Sequence, residues 1–82
     1  MNRKELLLQL QLIFKDILDL DRLELAETTT ANDIEEWDSL NHVQLVVAIE
    51  RHFKIRFTSM EIQNWKNIGD MLHSIESRLN QA

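Results

Sequence analysis

The tripeptide Asp38-Ser39-Leu40 stands where a loose acidic stretch gives way to an apolar run. Aspartate and serine are both common at helix starts, where their oxygens accept from backbone N–H groups that have no partner in the first turn. Asp38 then reads as the cap and Ser39 as a first-turn residue. A serine in that place, after a long loop, is exposed, and its hydroxyl is open to modification by another enzyme. A phosphate added there would sit beside unpaired N–H groups and the positive end of the helix dipole. Such a site holds a phosphodiester without a dedicated basic pocket. Alone, the tripeptide is weak and the simple capping role is the stronger reading, so the chemistry has to come from its context.

Other chemistries find little support. The 82 residues contain no cysteine, which removes disulfide, zinc-thiolate and thiol-nucleophile readings. His42, His52 and His73 share no spacing with other ligands that suggests a metal site, and they are expected on the solvated surface. No serine–histidine–acid set or glycine-rich phosphate loop is recognisable. Trp37 and Trp65 read as core or rim aromatics rather than cofactor contacts. Nine basic against 14 acidic residues give a net charge of −5, which argues against nucleic-acid binding. A small enzyme is therefore poorly supported.

The elements that must position Ser39 are helical. There is no proline and one glycine, Gly69, and this shortage of breakers favours helices over a turn-rich β fold. Leu6, Leu10, Ile13 and Ile17, widened by Leu7, Phe14 and Leu18, predict an amphipathic helix over about residues 3 to 18. Residues 19 to 37 show weak periodicity. In that long loop Leu20, Leu23, Leu25 and Ile34 are spaced like anchors to a core, and Thr30 and Asp33 could frame one helical turn. Leu40, Val43, Val46, Val47 and Phe53 step at three and four residues, which selects a helix over the strand that "VQLVVAI" alone could form. Arg51, His52 and Lys54 crowd its C-terminal end, where the dipole favours positive charge, and Glu50 and Lys54 stand in a favourable order for pairing. "KIRF" alternates like a strand but is too short to make a sheet alone. Thr58 and Glu61 form a capping box for a short helix ending near Asn64. Asn67 can cap a last helix whose inner stripe is Ile68, Leu72, Ile75 and Leu79.

The basic, leucine-rich start resembles a signal peptide only briefly. Gln9 and Gln11 interrupt the apolar run, and Lys15 and Asp16 end it without a cleavage site. No stretch approaches the roughly 20 apolar residues of a membrane span. The expectation is one soluble, cytoplasmic, monomeric domain over residues 1 to 82.

With these elements in place, "WDSLNHVQLVVAIERHFKIRFTSMEIQNWKNIGDMLHSI" resembles the acyl carrier protein family without a gap. The likeness lies in the Asp-Ser-Leu motif, the apolar rhythm of the following helix with its terminal Glu50 and Phe53, the short third helix and the "IGD" opening of the fourth. It covers about half the chain closely; the first helix and long loop match in kind. The resemblance implies an all-α four-helix bundle, three helices longer and one short. It implies a 4'-phosphopantetheine arm, derived from coenzyme A, on Ser39, flanked by Asp38 and Leu40. The arm's thiol would hold acyl, aminoacyl or polyketide groups as thioesters, supplying the thiol this chain lacks. Its partners would be a phosphopantetheinyl transferase, an acyl- or aminoacyl-activating ligase, and synthase or acyltransferase enzymes. The alternative is a non-catalytic helical interaction domain without a prosthetic group, in which Ser39 only starts a helix.

This chain departs from the fatty-acid members of the family. Gln44 and Arg51 stand where carboxylates are usual on the second helix, leaving Glu50. From Asp16 to Asp38 there are nine acidic residues and one basic one, Arg22. Most of that charge reads as a solvated loop, yet Asp33, Glu35, Glu36 and Asp38 lie where any partner of Ser39 must approach. Glu35, Glu36, Val43, Gln44 and Glu50 are the candidate partner surface. A tryptophan before the motif is similar to dedicated carriers of secondary metabolism and cell-surface polymer pathways. The core is expected to hold Val43, Val46, Val47, Ile49, Phe53, Phe57, Ile62, Trp65 and Ile68, some of which could line an acyl cleft.

Overall fold

A computed structural model describes residues 2–80. Four helices follow in chain order: α1 (Arg3–Leu18), α2 (Ser39–Phe53), α3 (Ser59–Asn64) and α4 (Ile68–Leu79). Each starts where a side chain takes up a free first-turn N–H. Asn2, Asp38, Thr58 and Asn67 accept from the N–H of Glu5, Asn41, Glu61 and Asp70, respectively. α1 and α2 end at Asp19 and Lys54, both left-handed with φ of 57° and 56°. Leu20 and Ile55 N–H then bond back to the Lys15 and Glu50 carbonyls.

α1 packs against both α2 and α4. Its fully inward row is Leu6, Leu10, Phe14 and Leu18, stepping by four; Ile13 and Ile17, expected at the centre of the stripe, sit half-buried on its flank. On α4 Met71 joins Ile68, Leu72 and Ile75 in the core, while Leu79 is half-buried. α2 corrects the expected core more sharply. Val46 and Ile49 are buried, but Val43 is 60% and Val47 41% exposed, and Leu45 is fully buried instead. At about 100° per residue, Leu45 and Ile49 share the inner side, whereas Leu40, Val43 and Val47 fall together on the opposite one. Spacing alone does not say which of the two apolar rows turns inward. Phe53, Phe57 and Trp65 are half-buried against the core rather than within it, and Ile62 is also half-buried.

The 20-residue connection from α1 to α2 is bound at several points. Leu25 and Ile34 are buried, with Leu20 and Leu23 half-buried, as the anchor spacing predicts. Thr30 N–H donates to Asp33 Oδ2 at 2.9 Å, framing a 3-10 turn at Ala31–Asp33. Thr29 and Glu27 carbonyls accept from Ile68 and Gly69 N–H at 2.9 and 2.8 Å, so the loop itself satisfies the start of α4. A Cβ on Gly69 would lie 3.1 Å from the Glu27 carbonyl oxygen, and glycine permits that approach. Arg3 reaches Glu27 and the Gly69 carbonyl at 3.0 Å and also pairs with Glu76, joining α1, loop and α4. Its guanidinium holds the Glu27 carboxyl below its ordinary range. Residues 54 to 58 form no strand. There the Glu50 carboxylate accepts from Phe57 N–H at 2.8 Å instead of pairing with Lys54. Arg78 and Glu61 pair to hold α3 on α4.

A chain of rings runs through the molecule to the start of α2. Phe14 meets Trp37 edge-on at 5.0 Å, Trp37 and His42 lie nearly parallel at 6.0 Å, His42 meets Trp65 at 6.3 Å, and Trp65 meets Phe57 at 4.9 Å. Trp37 Nε1–H donates to His42 Nδ1 at 3.0 Å. An indole N–H only donates, so the neutral imidazole carries its proton on Nε2. Trp65 Nε1–H donates to Ser74 Oγ at 2.8 Å. His42 is thus half-buried and structural, not the solvated surface residue expected. Burial holds its pKa below the ordinary 6.5.

Two outcomes test this packing. Ile49→Ala should cost about 2–5 kcal/mol in urea denaturation, whereas Val47→Ala should stay within about 0.5 kcal/mol. Equal losses would restore Val47 to the core. The second test is pH. The unfolded chain takes up the His42 proton near 6.5 and the folded chain resists until lower pH. Stability from the neutral ring is therefore fully present above 6.5 and is lost as pH falls through the folded value. The denaturation midpoint of wild type should fall between pH 7.5 and 5.5 more than that of His42→Gln, which retains an acceptor for Trp37 but cannot titrate. Equal falls would show that His42 is not the group responsible.

Candidate functional site

Ser39 is the first residue of α2, and it is exposed. Asp38 is extended, at φ −103° and ψ −177°, and its Oδ1 accepts from Asn41 N–H at 2.8 Å. The Asp38 carbonyl accepts from His42 N–H at 2.8 Å. The Asn41 side chain reaches back to the Glu36 carbonyl at 2.8 Å, and Trp37 N–H donates to the Ile34 carbonyl at 3.1 Å. The segment before Ser39 is therefore fixed by backbone bonds, by the cap and by the buried Trp37 ring. The N–H groups of Ser39 and Leu40 take no partner among the described residues. They remain free for phosphate oxygens, and the exposed hydroxyl is open to a modifying enzyme.

A cavity of about 440 Å³ opens beside Ser39, walled by Trp37, His42, Trp65 and Lys66. The serine, the free N–H donors and the nearby Lys66 suit a phosphodiester, with the Asp38 cap, Asn67 and the rings of Trp37, His42 and Trp65 lining the space beside it. A depression of about 480 Å³ lies at the other end of α2 among Arg51, Lys54 and Arg56. It contains no hydroxyl side chain that could bear a phosphodiester, and its volume does not make it the site.

The other candidate residues divide by exposure. Leu40 is 70% exposed, and with Val43 and Val47 it makes an apolar stripe along the outer side of α2. Gln44, Glu35 and Glu36 are exposed, the two glutamates in the loop approaching Ser39. Glu50 is half-buried and holds Phe57 N–H, so little of it faces outward. Met60 on α3 is 73% exposed. His52, exposed, bonds to Gln9 at 2.6 Å, and His73 is exposed on α4. No group of three or more histidine, aspartate or glutamate side chains among the described residues is arranged to hold a metal. No helix of the described residues is long and apolar enough to cross a membrane.

The Trp37–His42 pair was not foreseen, although the sequence carries its signal. With Asp38 as the cap, Trp37 and His42 occupy the positions just before the cap and four into the helix. A side-chain contact between those positions fixes how the chain enters a helix.

Comparison with known proteins bears on the family and the fold. Residues 9–75 match the family described as "Phosphopantetheine attachment site". An acyl carrier protein from Coprothermobacter proteolyticus is 31% identical over 80 residues, covering 96% of each chain. One from Thermosynechococcus vestitus is 30% identical, covering 96% of this chain and 98% of its own. The solution structure of a holo acyl carrier protein from Geobacter metallireducens superposes with a TM-score of 0.87 at 41% identity, over 92% of this chain and 86% of that one. At 24% identity, the crystal structure of the Thermotoga maritima acyl carrier protein speaks for the fold alone, with a TM-score of 0.81 over 99% of this chain and 94% of that one. The four-helix fold, the match along most of the chain and these full-length relatives place it in the acyl carrier protein family, as a non-enzymatic carrier with a covalently attached 4'-phosphopantetheine.

Proposed function

We propose that Ser39 is the residue bearing the phosphopantetheine, and that residues 1 to 82 work as one carrier unit. The observation that carries this reading is the exposed Ser39 hydroxyl at a helix start held in place by Asp38. When bound, the arm supplies a thiol on which acyl, aminoacyl or polyketide groups ride as thioesters. The chain's own part is positional. Asp38 caps α2 without using the Ser39 hydroxyl, and the free N–H groups of Ser39 and Leu40 offset phosphodiester charge. A tethered cargo meets each partner site at high effective concentration. The partners are a phosphopantetheinyl transferase, an acyl- or aminoacyl-activating ligase, and synthase or acyltransferase enzymes of a dedicated pathway. Leu40, Val43 and Val47 offer them an apolar stripe bordered by Gln44 and Arg51, rather than a helix lined with carboxylates. Glu35 and Glu36 add negative charge at the approach.

A transferase with coenzyme A should add one arm to wild type and none to Ser39→Ala, read by intact mass. Circular dichroism should be unchanged, because the Asp38 cap remains. A loaded alanine variant would move the attachment elsewhere.

Glu35→Lys with Glu36→Lys should slow that loading. Exposed pairs are worth ~0.2–1 kcal/mol each. The double reversal should thus lower kcat/KM by roughly two- to thirty-fold, since each 1.36 kcal/mol is tenfold. The gap should close at about 1 M salt, where the Debye length is ~3 Å. A gap independent of salt would replace steering with direct contact or loop structure.

A further inference from the structure

The chain is acidic overall, yet three of its nine basic residues, Arg51, Lys54 and Arg56, meet in the depression at the C-terminal end of α2. All three are exposed, and none makes an ion pair among the described residues. Glu50 is the one carboxylate in the lining, and its Oε2 is taken by Phe57 N–H at 2.8 Å. The helix dipole favours cations at this end and accounts for Arg51 and Lys54. It does not account for Arg56, which lies two residues past the cap in an irregular connection. There the residues of "KIRF" alternate: Ile55 and Phe57 pack against the core, and Lys54 and Arg56 are left together outside. The backbone that presents them is fixed, because the N–H groups of Lys54 and Ile55 both donate to the Glu50 carbonyl.

The depression also continues the apolar stripe. Leu40, Val43, Val47 and Arg51 step by three, four and four, so they share the outer side of α2. Val47 belongs to both the stripe and the depression, and half-buried Ile55 adds a second apolar wall. Arg51 lies twelve residues after Ser39, about 18 Å along the axis at ~1.5 Å per residue. Charge is reversed between the two ends, with Glu35 and Glu36 exposed before Ser39 and the three cations exposed at the far end. We infer that this depression is a docking site for an acidic, partly apolar patch on the surface of a partner enzyme, engaged at the same time as Ser39. The patch's carboxylates pair with Arg51, Lys54 and Arg56, and its apolar side chains cover Val47 and Ile55. Opposite charges at the two ends admit the partner in one direction along α2 and repel it in the reverse one. The inference rests on the reading that partners approach Ser39 along the outer side of α2.

The test titrates the ¹⁵N-labelled full chain at low salt with a synthetic, terminally blocked amphipathic helix whose leucine row is bordered by glutamates. Saturable shifts are expected at the Val47, Arg51, Lys54, Ile55 and Arg56 amides, with the Glu35 and Glu36 amides unmoved. Arg51→Gln with Arg56→Gln, at exposed and unpaired positions, should weaken binding by roughly two- to thirty-fold. Lys54→Gln should weaken it in the same direction. At about 1 M salt, where the Debye length is ~3 Å, the gap between wild type and variants should close. Loading is read separately by intact mass: a chain that binds the peptide but takes no arm at Ser39 faults the attachment, and one that loads but does not bind faults the docking. Equal affinity for a control peptide with glutamine in place of every glutamate would reduce the depression to an apolar contact and overturn the inference. So would the same shifts produced by inorganic phosphate, which would make it a small-anion site. Self-association in low-salt sedimentation, abolished both by Glu35→Lys with Glu36→Lys and by Arg51→Gln with Arg56→Gln, would also overturn it by making the occupant a second copy of this chain.

Discussion

The placement of Ser39 depends on how one ring enters the core. Trp37 precedes the α2 cap by a single residue, and its indole is buried edge-on to Phe14 of α1 while its N–H holds His42, one turn into α2. Those two contacts fix the direction in which the chain enters the helix. Asp38 is then left to cap, and the next side chain, Ser39, projects into solvent. A buried indole needs a partner for its N–H, and a neutral imidazole provides one acceptor. The pairing therefore also selects the tautomer and charge of His42. Local helix chemistry, core packing and exposure of the candidate serine are in this way one arrangement.

The long loop is the second constraint. Twenty residues whose regular structure is a single 3-10 turn would ordinarily be a poor support for a site. Here the loop is held from both sides. Leu25 and Ile34 enter the core, and the Glu27 and Thr29 carbonyls complete the start of α4. The close approach at Gly69 and the Arg3 pairs with Glu27 and Glu76 join the same loop to α1 and α4. The acidic residues nearest Ser39, Glu35 and Glu36, remain outside these contacts and exposed. The loop can thus be rigid where it bears load and carry free charge where a partner approaches.

Much of this was legible in the sequence, because caps and turns are local. Asp38, Thr58 and Asn67 cap where their spacing to the first-turn residues indicates, and the Thr30–Asp33 turn forms. The helices lie where the three-and-four rhythm places them. Less legible was which of two apolar rows on α2 turns inward, since Leu40, Val43 and Val47 have the same period as Leu45 and Ile49. That choice is made by α1, against which α2 packs and which periodicity within one segment cannot see. His42 was misplaced for a related reason: its partner, Trp37, lies across the cap and outside the helix. Glu50 looked free for Lys54 or for a partner, but the turn after α2 brings Phe57 N–H to it. The resemblance carried the family, and the geometry then added the aromatic surroundings of the serine.

The central claim is that the arm is carried at the capped start of α2. The most direct measurement is fragment mass spectrometry of the loaded, proteolysed wild-type chain, locating the phosphopantetheine on its peptide. The account predicts the arm on the peptide containing Asp38-Ser39-Leu40, assigned to Ser39, with the peptides carrying Ser59, Ser74 and Ser77 unmodified. An arm found on any of those serines, or on a threonine of the loop, would contradict it.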